Sequence, residues 1–503
     1  MRAAADIYQV RATRPGGTQS RVSDFVVSSG VCITIAAVHI AVSVPHFHWF
    51  VVPVTACGVL IATDAIAWMR GKTDIFDPAG LIGLLGVHFF FLAPLLHVQW
   101  DHWMAGVVPP SDWRDWLGAM ALLNFVGLMV YRETRNVTAA RLRALPRSTT
   151  VWILKPPVFY FVLTISLLIA GAVQWWVYWT FGGIGGFMAA YEDRGDTFEG
   201  MGWLLCIAEM FPVLMFMGFV VIVRQRSVKI SWSTLLFIII AFFLMKMLCG
   251  GLRGSRSNTV CAVFWAVGMI HFWIRPVPRM LIVVGLMFLG LFMYAYGFYK
   301  AAGRDGLAAL TDAGIRTELE ETRGRGLGAV LLNDIGRSDV QAFLLYRLSR
   351  SNSDYHYAWG KTYLGAAALL IPRSIWPGRP PTKRWAGTEI QYGRGTFDPA
   401  RQSSSRIYGL AGEAMLNFGP FAVPVAFGVL GWLVVRIQYC MVVWRRNDAR
   451  WLLMPLGLNV CLAALVVDSD NLLVVCLRHG LVPTVLLIVC SIRTVLHRSD
   501  REL

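Results

Sequence analysis

The stretch MLIVVGLMFLGLFMYAYGFY, Met280 to Tyr299, runs for twenty residues without an Asp, Glu, Lys or Arg and is flanked by Arg279 and Lys300. Twenty residues of α-helix rise about 30 Å, the thickness of a bilayer's hydrocarbon core. A surface helix of a soluble protein needs a polar face, and this segment has none. Its reading therefore decides the class: a transmembrane helix between two basic anchors.

Eleven further apolar runs follow the same rule, at approximately 25–44, 48–69, 79–98, 115–131, 157–179, 201–223, 232–249, 259–274, 409–435, 452–467 and 472–492. The expected fold is an all-α integral membrane protein of about twelve spans. Composition agrees, since 56% of the 503 residues are hydrophobic and 15% charged, against about 25% charged in soluble domains. Trp, Phe and Tyr, at 20, 29 and 15 copies, suit helix ends at the bilayer interface. The net charge of +16 lies between the apolar runs and not in one basic domain, so lipid headgroups and phosphate-bearing substrates are the expected partners and nucleic acid is not.

Orientation comes from the short connections, because basic loops stay cytoplasmic. With the N-terminus inside, the inner segments hold Arg70 and Lys72, then Arg132, Arg135, Arg141, Arg143, Arg147 and Lys155, then Arg224, Arg226 and Lys229, then Arg275 and Arg279, then Arg445, Arg446 and Arg450, and finally Arg493, Arg498 and Arg501. The short outer loops hold only Arg114, Arg194, Arg253 and Arg256. Both termini are expected to be cytoplasmic, with the first span an uncleaved signal anchor behind Arg2, Arg11, Arg14 and Arg21. The nine cysteines all lie inside apolar runs without CxxC spacing and read as small core residues.

The spans divide the chain into residues 1–299 with nine, a loop over 300–408, and residues 409–503 with the last three and a cytoplasmic tail. The loop carries 16 Lys/Arg against 10 Asp/Glu and falls on the outer side. So long a connection inside a compact chain is usually functional. Ser338 to Leu348 has helical amphipathicity, and Thr362 to Ile371 is an apolar run too short to span, expected at the interface or re-entering from outside.

Two constellations carry cations. In Gly250-Gly251-Leu252-Arg253-Gly254-Ser255-Arg256, a tight outer turn, glycines expose backbone N–H groups and two planar guanidinium forks match phosphate oxygens. The bland alternative is a loop whose arginines snorkel to headgroups. In Ile371-Pro372-Arg373-Ser374-Ile375-Trp376-Pro377-Gly378-Arg379-Pro380-Pro381-Thr382-Lys383-Arg384, prolines fix an extended path that displays cations and an aromatic ring. That strip suits a pyrophosphate and a sugar, or equally a rigid linker touching lipid.

The proline-rich strip, followed by Ser405-Arg406-Ile407-Tyr408-Gly409 and Gly412-Glu413-Ala414-Met415-Leu416-Asn417-Phe418-Gly419, resembles the signature of the Wzy-type O-antigen polymerases, the oligosaccharide repeat-unit polymerase family. The arginine hairpin ahead of a long outer loop and the order of parts are similar too, over roughly residues 180–440. The resemblance implies a GT-C-like, metal-independent glycosyltransferase in a bacterial inner membrane with its large loop periplasmic. Its substrates would be undecaprenyl-pyrophosphate-linked oligosaccharides, as donor and acceptor, and a chain-length regulator is a candidate partner. No cofactor is expected.

Breaking a sugar–pyrophosphate bond leaves negative charge on the departing lipid, which fixed cations stabilise in a partly dry site. Arg253, Arg256, Arg373, Arg379, Lys383, Arg406 and Arg478 are the candidates for holding it. The attacking hydroxyl wants a general base, for which Glu413 is the first choice, then His479 and His356. Glu413 fits equally the task of holding an arginine, and Arg478 that of an ion pair with Asp470. Asp468-Ser469-Asp470 reads as an ion-paired turn in preference to a cation site. A flippase or transporter of similar helix count is the competing reading, and a related GT-C enzyme such as an O-antigen ligase is another.

Overall fold

The computed structural model describes residues 18–104, 106–144, 150–192, 201–253, 256–303, 305–324, 326–351, 353–371, 375–398 and 406–495. Nine helices among the described residues are long and apolar enough to cross a membrane. The chain is a multi-pass membrane protein. Its contacts divide it into two compact units: residues 1–145, 328–442 and 461–473 form the first, and residues 146–327, 443–460 and 474–503 the second.

The first unit opens with α1 (Thr18–Val42), α2 (Val51–Met69) and α3 (Pro78–Gln99). Asp77 caps α3 by accepting the Gly80 N–H at 3.1 Å, with Pro78 set at the first helical position where its missing N–H costs nothing. Gly80, Gly83 and Gly86 recur every third residue along α3, and a Cβ on each would lie within 2.6 Å of α2 atoms of Trp68, Ala65 and Ile61 respectively. Small residues at this spacing let two backbones approach, the usual basis of helix packing in lipid. α4 (Trp113–Ala144) has 32 residues. Its apolar first half is the expected run 115–131. The rest continues as a basic helix in which Arg135 pairs with Asp64 of α2 at 2.5 Å.

The second unit holds α5 (Pro156–Thr180), α6 (Gly202–Gln225), α7 (Trp232–Leu248), α8 (Arg256–Ile274) and α9 (Arg279–Ala302). α7 is capped by Ser231, whose hydroxyl accepts the Thr234 N–H at 3.1 Å, and at 17 residues it is shorter than a full span. On α9, Met280, Met287, Phe288 and Leu291 stay exposed, a surface that only lipid covers without penalty. A two-stranded antiparallel ladder, β1 (Thr150–Leu154) with β2 (Ser491–Val495), is the one departure from an all-helical chain among the described residues.

The segment 300–408 is not a free loop. After α10 (Ala313–Arg323), a π-helical turn over Ala329–Gly336 packs on α3, with His88 Nε2 at 2.9 Å from the Leu331 carbonyl. Next comes α11 (Ser338–Ser349), buried on every side from Ser338 through Leu345. The amphipathic face expected there is therefore one side of a helix enclosed by α3 and α4 and by the helix that carries Glu413. The short apolar run becomes α12 (Lys361–Ala368), which buries Thr362, Gly365, Ala366 and Ala368 and exposes Leu364. α13 (Lys383–Tyr392) closes the segment.

The run 409–435 corrects the span reading. It is two helices, α14 (Gly409–Phe418) and α15 (Ala422–Val443), broken where Gly419 takes φ +83° and Pro420 follows. A glycine at positive φ takes the backbone out of the helix, and a proline ring cannot continue one. α15 alone is of spanning length. Two helices precede β2: α16 (Met454–Val466), short at 13 residues, and α17 (Ser469–Cys490), whose first residues belong to the first unit and whose remainder belongs to the second.

Candidate functional site

In the first unit, α14 is held at both ends by distant chain. Asp468, fully buried just before α17, accepts the N–H groups of Tyr408 and Gly409 through Oδ1 at 2.9 and 2.8 Å. A carboxylate there satisfies orphan donors and meets the positive end of the helix. Its other oxygen pairs with Lys383 Nζ, which also donates to the Arg406 carbonyl at 2.8 Å. At the far end, the Leu416 and Asn417 carbonyls accept the Ala358 and Trp359 N–H groups, each at 3.0 Å.

Glu413 sits between these ends, 3% exposed. Its Oε1 accepts hydrogen bonds from the Thr362 hydroxyl at 2.8 Å and the Ser469 hydroxyl at 2.6 Å, and Oε2 accepts the Ser469 N–H at 2.6 Å. Asn417 fixes Thr362, donating to its hydroxyl at 2.6 Å. Burial and the nearby Asp468 charge favour the protonated acid, while these donors favour the carboxylate. The balance raises the Glu413 carboxyl from its ordinary 4.5 to about 7. α14 is a separate helix too short to span, so this group belongs to the folded segment between spans. A buried carboxyl that titrates near neutrality can both take and return a proton.

Arg379 is half-buried and donates to the Ile371 carbonyl at 2.9 Å. Arg406 is half-buried, with its carbonyl on Lys383. Lys383 is not displayed to solvent as the sequence suggests, because Asp468 takes its charge. His356 is bonded to Arg394 at 2.9 Å on the surface. Arg373 lies outside the described residues.

The second unit has its own buried charge cluster, centred on a residue that sequence reasoning missed. Glu209, 1% exposed in α6, accepts from Asn258 Nδ2 at 2.5 Å and lies 3.9 Å from Arg478 Nε. Its backbone carbonyl accepts Lys246 Nζ at 2.9 Å. The ion pair expected between Arg478 and Asp470 is thus made with Glu209, and Lys246 is fully buried. Arg256, also buried, opens α8 and reaches the Met293 carbonyl at 3.4 Å. His479 is buried with no hydrogen-bond partner on either ring nitrogen among the described residues. Arg253 lies in the turn Gly251–Arg253, and its side chain is outside the described part. A lone carboxylate in the apolar run 201–223 was the available signal, since charges inside spans are costly and mark partners or function.

One further group, His48 with Asp112 and Asp115, has the spacing of ion ligands. The Arg114 side chain bonded to Asp112 holds that carboxyl below its usual range. His48 Nδ1 accepts the Phe50 N–H at 3.3 Å, so in the neutral ring Nε2 carries the hydrogen, 3.8 Å from Asp112 Oδ2 and 3.5 Å from Asp115 Oδ1.

No protein-family model matches the chain, and neither a curated protein nor a solved structure is similar enough to count as a match.

Proposed function

We propose that this chain is a metal-independent glycosyltransferase that polymerises oligosaccharide repeat units carried on undecaprenyl pyrophosphate, at the periplasmic face of a bacterial inner membrane. The proposed topology is GT-C-like, with about twelve spans, both termini cytoplasmic and the folded segment 300–408 periplasmic. The observation that carries this reading is Glu413, a buried carboxyl poised near neutrality and oriented by Thr362 and Ser469.

In this reading the Glu413 carboxylate takes the proton of the attacking sugar hydroxyl. The hydroxyl oxygen bonds to the anomeric carbon, the bond from that carbon to the pyrophosphate oxygen breaks, and the lipid leaves with the negative charge. Arginines of the proline-rich strip, in the same unit as Glu413, hold that charge. The test is deletion of the gene with gel analysis of surface polysaccharide. A lost ladder of chain lengths, with single capped repeats remaining, supports polymerisation. The sidedness is tested by protease added outside spheroplasts, which cuts between Lys300 and Tyr408 if that segment is periplasmic.

A flippase is the second reading, and one observation favours it: Glu209 and Lys246 are buried ionisable residues within apolar helices, and Asp64 with Arg135 is an ion pair between two of them. Loss of all glycan from the surface on deletion identifies that alternative. A related GT-C enzyme such as an O-antigen ligase would instead leave undecorated acceptor with polymer still made.

A further inference from the structure

Five stretches of the second unit, residues 150–155, 224–231, 275–279, 443–452 and 491–495, together hold ten Lys/Arg and a single Asp. Bonds among them gather these stretches at one end of that unit. Arg224, in the last turn of α6, donates to the Trp273 and Arg446 carbonyls at 3.2 and 2.7 Å. Arg275 donates to the Ile230 carbonyl at 3.1 Å, and Arg450 to the Thr150 carbonyl at 2.9 Å, beside the ladder of β1 with β2. The one carboxylate, Asp448, is buried and taken by Arg450.

A bias of basic residues to one side of a membrane orients the chain and needs no particular geometry. Arg224 and Arg275 go further, because each guanidinium is fixed. That of Arg224 stands 4.6 Å from the Trp273 ring centre and also donates to Asn447 Oδ1 at 3.0 Å. That of Arg275 stands 3.6 Å from the Trp232 ring centre. Carbonyls and indole faces hold a guanidinium in place without cancelling its charge, as a carboxylate would. The Trp273 carbonyl that engages Arg224 lies two residues before Arg275, so the two cations flank one short turn.

This turn sits where spans leave the hydrocarbon: α6 ends at Gln225, α8 ends at Ile274 and α9 starts at Arg279. Ile222, Met280 and Val283 are exposed beside it, a surface suited to acyl chains. Anionic headgroups gain from every nearby cation, and basic pockets between span ends favour headgroups that carry several phosphates. A lone phosphate would engage one fork and leave the other charge without an anion. Two phosphates joined in one headgroup engage both, and the second binds as an intramolecular event. We propose that Arg224 and Arg275 hold the two phosphates of a doubly anionic phospholipid, of the diphosphatidylglycerol class, one on each fork.

The full-length protein in detergent micelles is mixed with diphosphatidylglycerol, or with phosphatidylglycerol at double the molar amount so that phosphate is equal, and retained lipid is counted by native mass spectrometry. Wild type retains the two-phosphate lipid in preference to the other. Arg224→Gln with Arg275→Gln binds it about 30-fold more weakly. Arg141→Gln with Arg143→Gln, at two exposed positions of α4 in the first unit, lowers the net charge equally and leaves binding unchanged. The comparison of the two lipids on wild type needs no variant, so it decides the matter even if the first double does not fold. A wild type without that preference, a first double that binds as wild type does, or two doubles weakened alike would mean that this end attracts headgroups by charge alone, and the proposal is then overturned.

Discussion

Lys383 and Asp468, 85 residues apart in the chain, form a buried ion pair that holds the turn before α17 against the start of α13. The same carboxylate caps α14, so one side chain fixes three segments. Lys383→Met removes the cation and leaves a buried carboxylate with backbone N–H partners only. The expected cost is about 3 to 5 kcal/mol, read as a lowered unfolding midpoint in detergent. A change under about 1 kcal/mol would mean that water reaches the pair.

Glu413→Gln preserves the shape of its pocket and removes the proton acceptor. On the proposed function, polymerisation of purified lipid-linked repeat units is expected to fall by about 10²- to 10⁴-fold with the fold retained. In wild type, activity rises as pH passes upward through about 7, where the carboxyl ionises. Full activity in the glutamine variant would exclude Glu413 as the base.

The same group gives a stability signature that does not depend on the reaction. Its folded-state proton is held to about 7 against an ordinary 4.5, so the folded state binds more protons in that interval. Stability is fully present below the lower value and declines as pH climbs to the upper one. Glu413→Gln is expected to flatten this decline, measured as unfolding midpoint against pH from 4.5 to 7.

Gly250→Ala tests the second unit's cluster. Gly250 adopts φ +119°, and a Cβ there would fall 2.6 Å from Glu209 Cγ and 2.7 Å from Cδ. Backbone strain alone costs about 1 to 3 kcal/mol, and displacement of Glu209 adds to it. Thermal unfolding reads the loss, and an unchanged midpoint would show that this turn adjusts freely.

Long spans were legible because lipid imposes a length and a composition on each of them, as in Met280 to Tyr299. The division at Gly419 was hidden by arithmetic: a ten-residue buried helix and a longer span abut, and their apolar residues read as one run. The Gly-Pro pair was the local signal. Enclosure of α11 was not legible, since periodicity shows one apolar face and says nothing about what later covers Ser338, Asp339 and Gln341. Glu413 could be picked from the sequence, but its partners Thr362 and Ser469 could not, because 51 and 56 residues of chain separate them from it. Arg253 and Arg373, central to the sequence argument, have side chains outside the described structure.

The interleaving of the two units along the chain bears on how the protein is made. The first 145 residues share their core with residues 328–442 and 461–473, which leave the ribosome much later. Early helices must therefore wait in the bilayer with Asp64, Arg135 and the glycine seam of α3 in place but α11 and α14 still unsynthesised. A ribosome stalled before residue 461 would leave a half-walled intermediate exposed to membrane quality-control proteases.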